Sequence, residues 1–190
     1  MKKALIFMGI LVSAACSTAA LALDFSADMV STTRAGSFTG KIFAAKDKVR
    51  MDMAGAVTIT RMDKDVAWVL MPQQNMYMEQ KLDPERIAGA TEKMPGEMER
   101  TLVGKDTVDG KMTDKYLIVY TSKEGRATVF QWIDPVSGIP LKTAAEDGSW
   151  SVEYRNLMVG AQDDSLFEIP SGYQKFAMPD ISDMMKGMRE

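Results

Sequence analysis

Apolar and polar residues alternate along this chain in one short segment after another, and turn sequences part the segments. Phe25, Ala27 and Met29 alternate with Ser26 and Asp28, the period of a half-buried strand. A second run covers Ser37 to Ala45. Next, Val49, Met51 and Met53 fall on one face, with Arg50 and Asp52 on the other. Ala54-Gly55 turns the chain into Val57 to Met62, and Asp63-Lys64-Asp65 is a polar turn. Val66 to Met71 and Met76 to Lys81 are joined by Pro72-Gln73-Gln74-Asn75, a hairpin connection.

Later runs are Leu102 to Val108, Lys115 to Thr121, Ala127 to Ile133, Ile139 to Ala145 and Trp150 to Leu157. Asp109-Gly110, Glu124-Gly125, Asp134-Pro135-Val136-Ser137-Gly138 and Asp147-Gly148 part them. Tyr116, Ile118 and Tyr120 share a face, as do Trp150, Val152 and Tyr154. Phe167 to Pro170 and Gly172-Tyr173 read as an extended edge. Only Asp83 to Arg100 breaks the pattern. Asp83 is a suitable N-cap, Pro84 stands at the first helical position, and a helix follows over Arg86 to Lys93. Pro95-Gly96 interrupts it, and Glu97 to Thr101 reads as a second short turn of helix. Met94 and Met98, four apart, would then share a face. This insert is expected to be a helical flap or lid. About ten or eleven short strands without long helical crossovers exclude a parallel sheet and leave an antiparallel barrel or sandwich.

The first twenty-two residues stand apart. Lys2 and Lys3 precede an apolar run from Ala4 to Ala15, and Ala20-Leu21-Ala22 is a small-x-small cleavage signal. Residues 1–22 are therefore expected to be a signal peptide, 23–179 one domain and 180–190 a Met-rich tail. The expected location is the periplasm. Ser13-Ala14-Ala15-Cys16 offers the alternative of a lipoprotein anchored through Cys16, although Ser13 stands where a bulky aliphatic residue is usual. Loss of Lys2 and Lys3 takes the net charge from −3 to −5. No basic patch stands out, so a nucleic-acid partner is not expected.

The chain has no His and one Cys. That excludes a Ser-His-Asp triad, a Cys-His nucleophile and ordinary Cys/His zinc sites. Asp63, Asp65 and Glu79 sit beside turns and read as solvated charges, so no enzyme and no cofactor are expected. Met is abundant, at seventeen residues. Its flexible thioether either fills irregular core gaps or lines an adaptable surface.

Three stretches resemble the LolA/LolB superfamily of envelope lipoprotein carriers and the uncharacterised periplasmic families that share its architecture. The first is Lys48-Val49-Arg50-Met51-Asp52-Met53 with Val66-Ala67-Trp68-Val69-Leu70 and Met76-Tyr77-Met78. The second is Trp132-Ile133-Asp134-Pro135-Val136-Ser137-Gly138-Ile139-Pro140-Leu141-Lys142, similar to the superfamily's strand–DPxTGLP–strand hairpin. The third, Asp164-Ser165-Leu166-Phe167-Glu168-Ile169-Pro170-Ser171-Gly172-Tyr173, is similar to its terminal LF-x-x-P-x-G signature. The resemblance implies a mainly β, α+β fold: a curved antiparallel sheet forming an incomplete barrel, with a short helical flap on its concave face. In the carriers that concavity holds acyl chains. The carriers' functional arginine has no counterpart in its usual early-strand context, and Arg34 and Arg50 are its candidates here. The Met-rich strands place the chain nearer the uncharacterised families.

The expected function is thus non-enzymatic binding of a lipid, an acylated protein segment or another apolar ligand in envelope biogenesis. Met51, Met53, Trp68, Met76, Met78, Met94 and Met98 are the candidate cavity residues, and they either wall a cavity or fill a core. One alternative is an envelope protein acting by docking, through the sheet edge or the tail methionines Met184, Met185 and Met188. Another is Cu(I) binding by the two M-x-M pairs, Met51-Asp52-Met53 and Met76-Tyr77-Met78, because thioethers suit Cu(I).

Overall fold

The alternating segments pair into one sheet. In the computed structural model the described residues are 23–53, 55–82, 93–122 and 124–176. The expected signal peptide, Cys16, the helix proposed from Asp83 and the tail from 180 lie outside them, apart from Lys93 at the end of that helix, which is in a bend. The strands are β1 (Phe25–Thr33), β2 (Gly36–Ala45), β3 (Lys48–Met53), β4 (Ala56–Arg61), β5 (Val66–Met71), β6 (Met76–Lys81), β7 (Glu97–Val108), β8 (Lys111–Ser122), β9 (Gly125–Ile133), β10 (Pro140–Ala145), β11 (Trp150–Val159) and β12 (Gln174–Lys175). They form a twelve-stranded sheet in the order β12-β6-β5-β4-β3-β2-β1-β11-β10-β9-β8-β7. Every described pairing is antiparallel except β12 on β6. β1 and β11 join the two meanders. The sheet is open, an incomplete barrel and not a sandwich.

Two turns in the first meander share one device. Met62–Lys64 and Pro72–Gln74 are single turns of 3-10 helix, ended by Asp65 and Asn75 in the left-handed region (φ 53° and 50°). Asp and Asn tolerate that region better than most residues, which is why these polar connections close tight hairpins.

Strand order also demands curvature. From β6 to β8 there are nine strand spacings, ~43 Å if laid flat. The chain covers that gap in the twelve steps from Leu82 to Met94, at most ~43 Å fully extended. Met94 is buried against Ile118 and Val129, so a flat sheet would leave no length to spare. Curling toward the face that carries Ile118 shortens that span. We call that face inner.

The register assigns the faces. Phe25, Ala27, Met29, Ile42, Ala44 and Val49 are buried within the main core cluster. Leu141 and Tyr154 belong to the same cluster. On the outer face Val57, Ile59, Trp68 and Leu70 are buried beneath Phe167. Phe167 ends a 3-10 turn, Asp164–Phe167, and is completely buried. The extended edge expected from Phe167 to Pro170 is thus corrected: the strand comes later, at Gln174–Lys175, and Phe167 is a plug.

A second correction concerns Glu97 to Thr101, which opens β7 instead of forming a helical turn. Gly96 (φ 73°) reverses the chain, and its carbonyl accepts from the Thr121 N–H at 2.9 Å. That bond starts the β7–β8 ladder, and the ladder continues through Glu97 opposite Tyr120. Met94 and Met98 therefore share no helical face. Met94 is buried, while Met98 is 64% exposed and accepts a hydrogen bond from Thr121 Oγ1.

A methionine-walled trough as candidate site

β3 to β6 place their inner-face residues in cross-strand rows. Because opposite residues share a face, the register can be read across four strands. Val49 lies opposite Thr60, Thr60 opposite Ala67, and Ala67 opposite Gln80. Met51 lies opposite Thr58, Thr58 opposite Val69, and Val69 opposite Met78. Met53 lies opposite Ala56, and Met71 opposite Met76. Long side chains thus stand on β3 and β6, and small ones lie between them on β4 and the start of β5. The result is a trough with Met51 and Met53 on one wall and Met76, Met78 and Gln80 on the other. Ala56, Thr58, Thr60 and Ala67 form its floor. The wall backbones stand three strand spacings apart, ~14 Å.

Thr60 and Ala67 are buried, while Met51, Met53, Met71, Met76 and Met78 are half-buried. Met51 and Met53 pack against the main core on one side. A cleft of about 260 Å³ lies in the trough, lined by Met51, Thr58, Thr60, Ala67, Gln80, Lys81 and Leu82. That is just below the usual 300–1,000 Å³ of small-molecule pockets, a size for a slender group and not a bulky one.

Of the residues expected from the sequence, Met51, Met53, Met76 and Met78 share this face. Trp68 does not. It lies opposite Glu79 on the outer face, where its indole N–H donates to Glu79 Oε2 at 3.1 Å. Met94 is inner but belongs to the separate cluster at β8 and β9. Met98 stands on the edge strand. The floor residues Thr58, Thr60 and Ala67, the rim residues Gln80 and Leu82, and Met71 escaped the sequence reading. The hairpin length held the signal. A four-residue connection sets Met71 opposite Met76, hence Val69 opposite Met78 and Trp68 opposite Glu79.

The arginine candidates also resolve. Arg34 is an exposed turn residue near Asp147. Arg50 is on the outer face, forked onto Asp52 at 2.7 and 3.0 Å and donating to the Leu166 carbonyl at 3.1 Å. Arg61, beside it, forks onto Asp63 at 2.8 and 2.7 Å, donates to the Phe167 carbonyl at 3.2 Å and pairs with Glu168. The hydrogen bonds from Arg61 draw the Asp63 carboxyl down to about 2. These cations fasten the terminal segment to the sheet. Arg100, on β7, instead faces inward, opposite Ile118. It forks onto Glu97 at 2.9 and 2.8 Å, donates to Gln131 and stacks over Tyr116. Burial pushes the Glu97 carboxyl up, but the hydrogen bonds from Arg100 and the Met94 N–H outweigh it and leave it below the usual range.

Around the outer end of β5 and β6 a second hollow, about 520 Å³, is bordered by Lys64, Asp65, Trp68, Glu79 and Lys81. Its border is largely charged and it opens to solvent. Among the described residues no group of three or more His, Cys, Asp or Glu is placed to hold a metal ion. No described helix is long and apolar enough to cross a membrane.

No protein-family model and no curated protein matches the chain. Solved structures do. MucB superposes with a TM-score of 0.50 at 16% identity over 78% of this chain and 58% of that one. LprF from Mycobacterium bovis gives 0.46 at 14% identity, over 80% and 90%. A putative outer membrane lipoprotein-sorting protein domain from Vibrio parahaemolyticus gives 0.37 at 11% identity, over 75% and 88%. The chain spans less than three-fifths of the MucB structure. At such identities the likeness is one of fold. The antiparallel, incompletely closed sheet expected from the sequence is the one observed.

Proposed function

We propose that this protein is a non-enzymatic periplasmic binding protein whose trough on β3 to β6 holds a slender apolar group. The natural candidate is an acyl chain, of a lipid or an acylated protein segment. The observation that carries this reading is the cleft over Thr58, Thr60 and Ala67, with Met51 on one side and Gln80, Lys81 and Leu82 on the other. A close-packed core would interdigitate large and small residues across this face. Here the small residues are grouped, so a groove remains. Thioether walls adjust to a flexible chain without a fixed shape. Lys81 and Gln80, at one end of the cleft, suit the polar end of such a ligand. The fold supports the reading only by analogy, since a fold does not fix a function.

The test is mass spectrometry of protein isolated natively from the periplasm, repeated after organic extraction. An acyl-bearing species that extraction releases is expected. A bare mass in both spectra would count against the trough as a lipid site and favour docking to an envelope protein. The same spectra report whether the mature chain begins at Leu23 or at a lipidated Cys16.

A further inference from the structure

Met71, the last residue of β5, completes a set of three thioethers. It stands directly opposite Met76 on the inner face, and Met78 follows two residues along the same strand face. Opposite residues have Cβ atoms ~5 Å apart, and neighbours along one strand face are ~7 Å apart. With three rotatable bonds each, these side chains can bring their sulfurs together. The Met51–Met53 pair stands across the trough, beyond such reach. Hence the two M-x-M pairs cannot form one site, and the β5–β6 hairpin makes a set of its own.

The backbone beneath this set is held from both sides. The hairpin turn is closed by the Asn75 N–H donating to the Pro72 carbonyl, with Asn75 left-handed at φ 50°. On the far side of β6 the Gln174 N–H donates to the Asn75 carbonyl at 2.9 Å, and the Phe176 N–H donates to the Tyr77 carbonyl at 2.7 Å. Three ligand-bearing positions on a fixed backbone lose little freedom on binding, as a preorganised site requires. All three side chains are half-buried, so the sulfurs are neither sealed in a core nor fully in water.

We propose that Met71, Met76 and Met78 form a three-thioether site for a soft monovalent cation, Cu(I). Thioether sulfur is soft and uncharged and selects Cu(I) over oxygen-seeking ions. Nothing at this site suits Zn(II) or Ca(II), since no His, Cys or carboxylate cluster accompanies it among the described residues.

The experiment is an anaerobic titration of the mature chain with Cu(I) against the chromophoric competitor bicinchoninate. Two variants are run beside it, M71L/M76L/M78L and M51L/M53L. Leucine keeps the apolar volume, so both variants are expected to fold. One equivalent of Cu(I) should bind the parent chain. The triple variant should lose affinity by at least tenfold, and M51L/M53L should match the parent. Sulfur-only scattering around the bound copper in X-ray absorption is the expected signature. The proposal is overturned if the parent chain binds no Cu(I), if the triple variant binds as the parent does, or if M51L/M53L abolishes binding. Lipid yield, measured on the parent chain, separates this outcome from failure of the trough reading.

Discussion

Arg61 is 4% exposed and carries a full charge. Taking a guanidinium out of water costs several kcal/mol, and only well-placed partners offset that. Here they are the Asp63 fork, Glu168 and the Phe167 carbonyl, and the Trp68 ring lies 5.9 Å away. The sign of the pH dependence follows from Asp63. Its carboxyl is depressed to about 2 in the folded chain, against ~3.9 in an unfolded one. A depressed acid contributes stability that is fully present above the unfolded value and is lost as pH falls through the folded one. Asp63→Asn should therefore lower the thermal midpoint at pH 7, and the gap to the parent should close between about pH 4 and pH 2. A gap that stays constant down to pH 2 would mean the charge on Asp63 contributes nothing.

Among elements, the terminal 3-10 turn matters most to the outer face. Phe167 fills the centre of the cluster formed by Val57, Ile59, Trp68 and Leu70, and Lys48, Arg50 and Arg61 hold the turn down. Removing the ring leaves a cavity that the paired strands cannot close. Phe167→Ala should cost about 3–5 kcal/mol in urea unfolding. It should also shift Trp68 fluorescence to the red in a background where Trp132 and Trp150 are Phe. Unchanged emission would place Trp68 outside that packing. β7 makes a different point. Glu97, Met98, Glu99 and Arg100 are good helix formers, yet pairing with β8 decides their state. Local preference yields where a neighbouring strand offers a full ladder.

At the scale of the whole molecule the two faces of the first meander divide the work. The outer face is sealed by the chain's own terminal segment, pinned at the edge by β12 on β6. The inner face keeps a groove because its small residues are grouped. Thr58 lies at the middle of the floor and is only half-buried. Thr58→Phe should fill the cleft while keeping strand propensity. Extractable lipid should fall several-fold, with the urea midpoint moving by no more than ~1 kcal/mol equivalent. Undiminished lipid in a folded Thr58→Phe variant would move the binding site elsewhere.

The alternation of Val49, Met51 and Met53, the Pro72 to Asn75 hairpin and the Asp-Gly turns determined by themselves a mainly antiparallel β protein with its strand boundaries nearly in place. Period two fixes which residues of one strand share a face, so the parity of Met51 with Met53 and of Met76 with Met78 was legible. Hairpin length carried more: it set Trp68 opposite Glu79 and Met71 opposite Met76, away from the grouping that composition suggested. The junction of β1 with β11, the sealing of one face by Phe167 and the open groove on the other belonged to tertiary structure alone. The β1–β11 junction pairs residues more than a hundred positions apart, and Phe167 is likewise remote in sequence from the strands it covers. Alternation gives each strand two faces; only the packed fold decides which of them water still reaches.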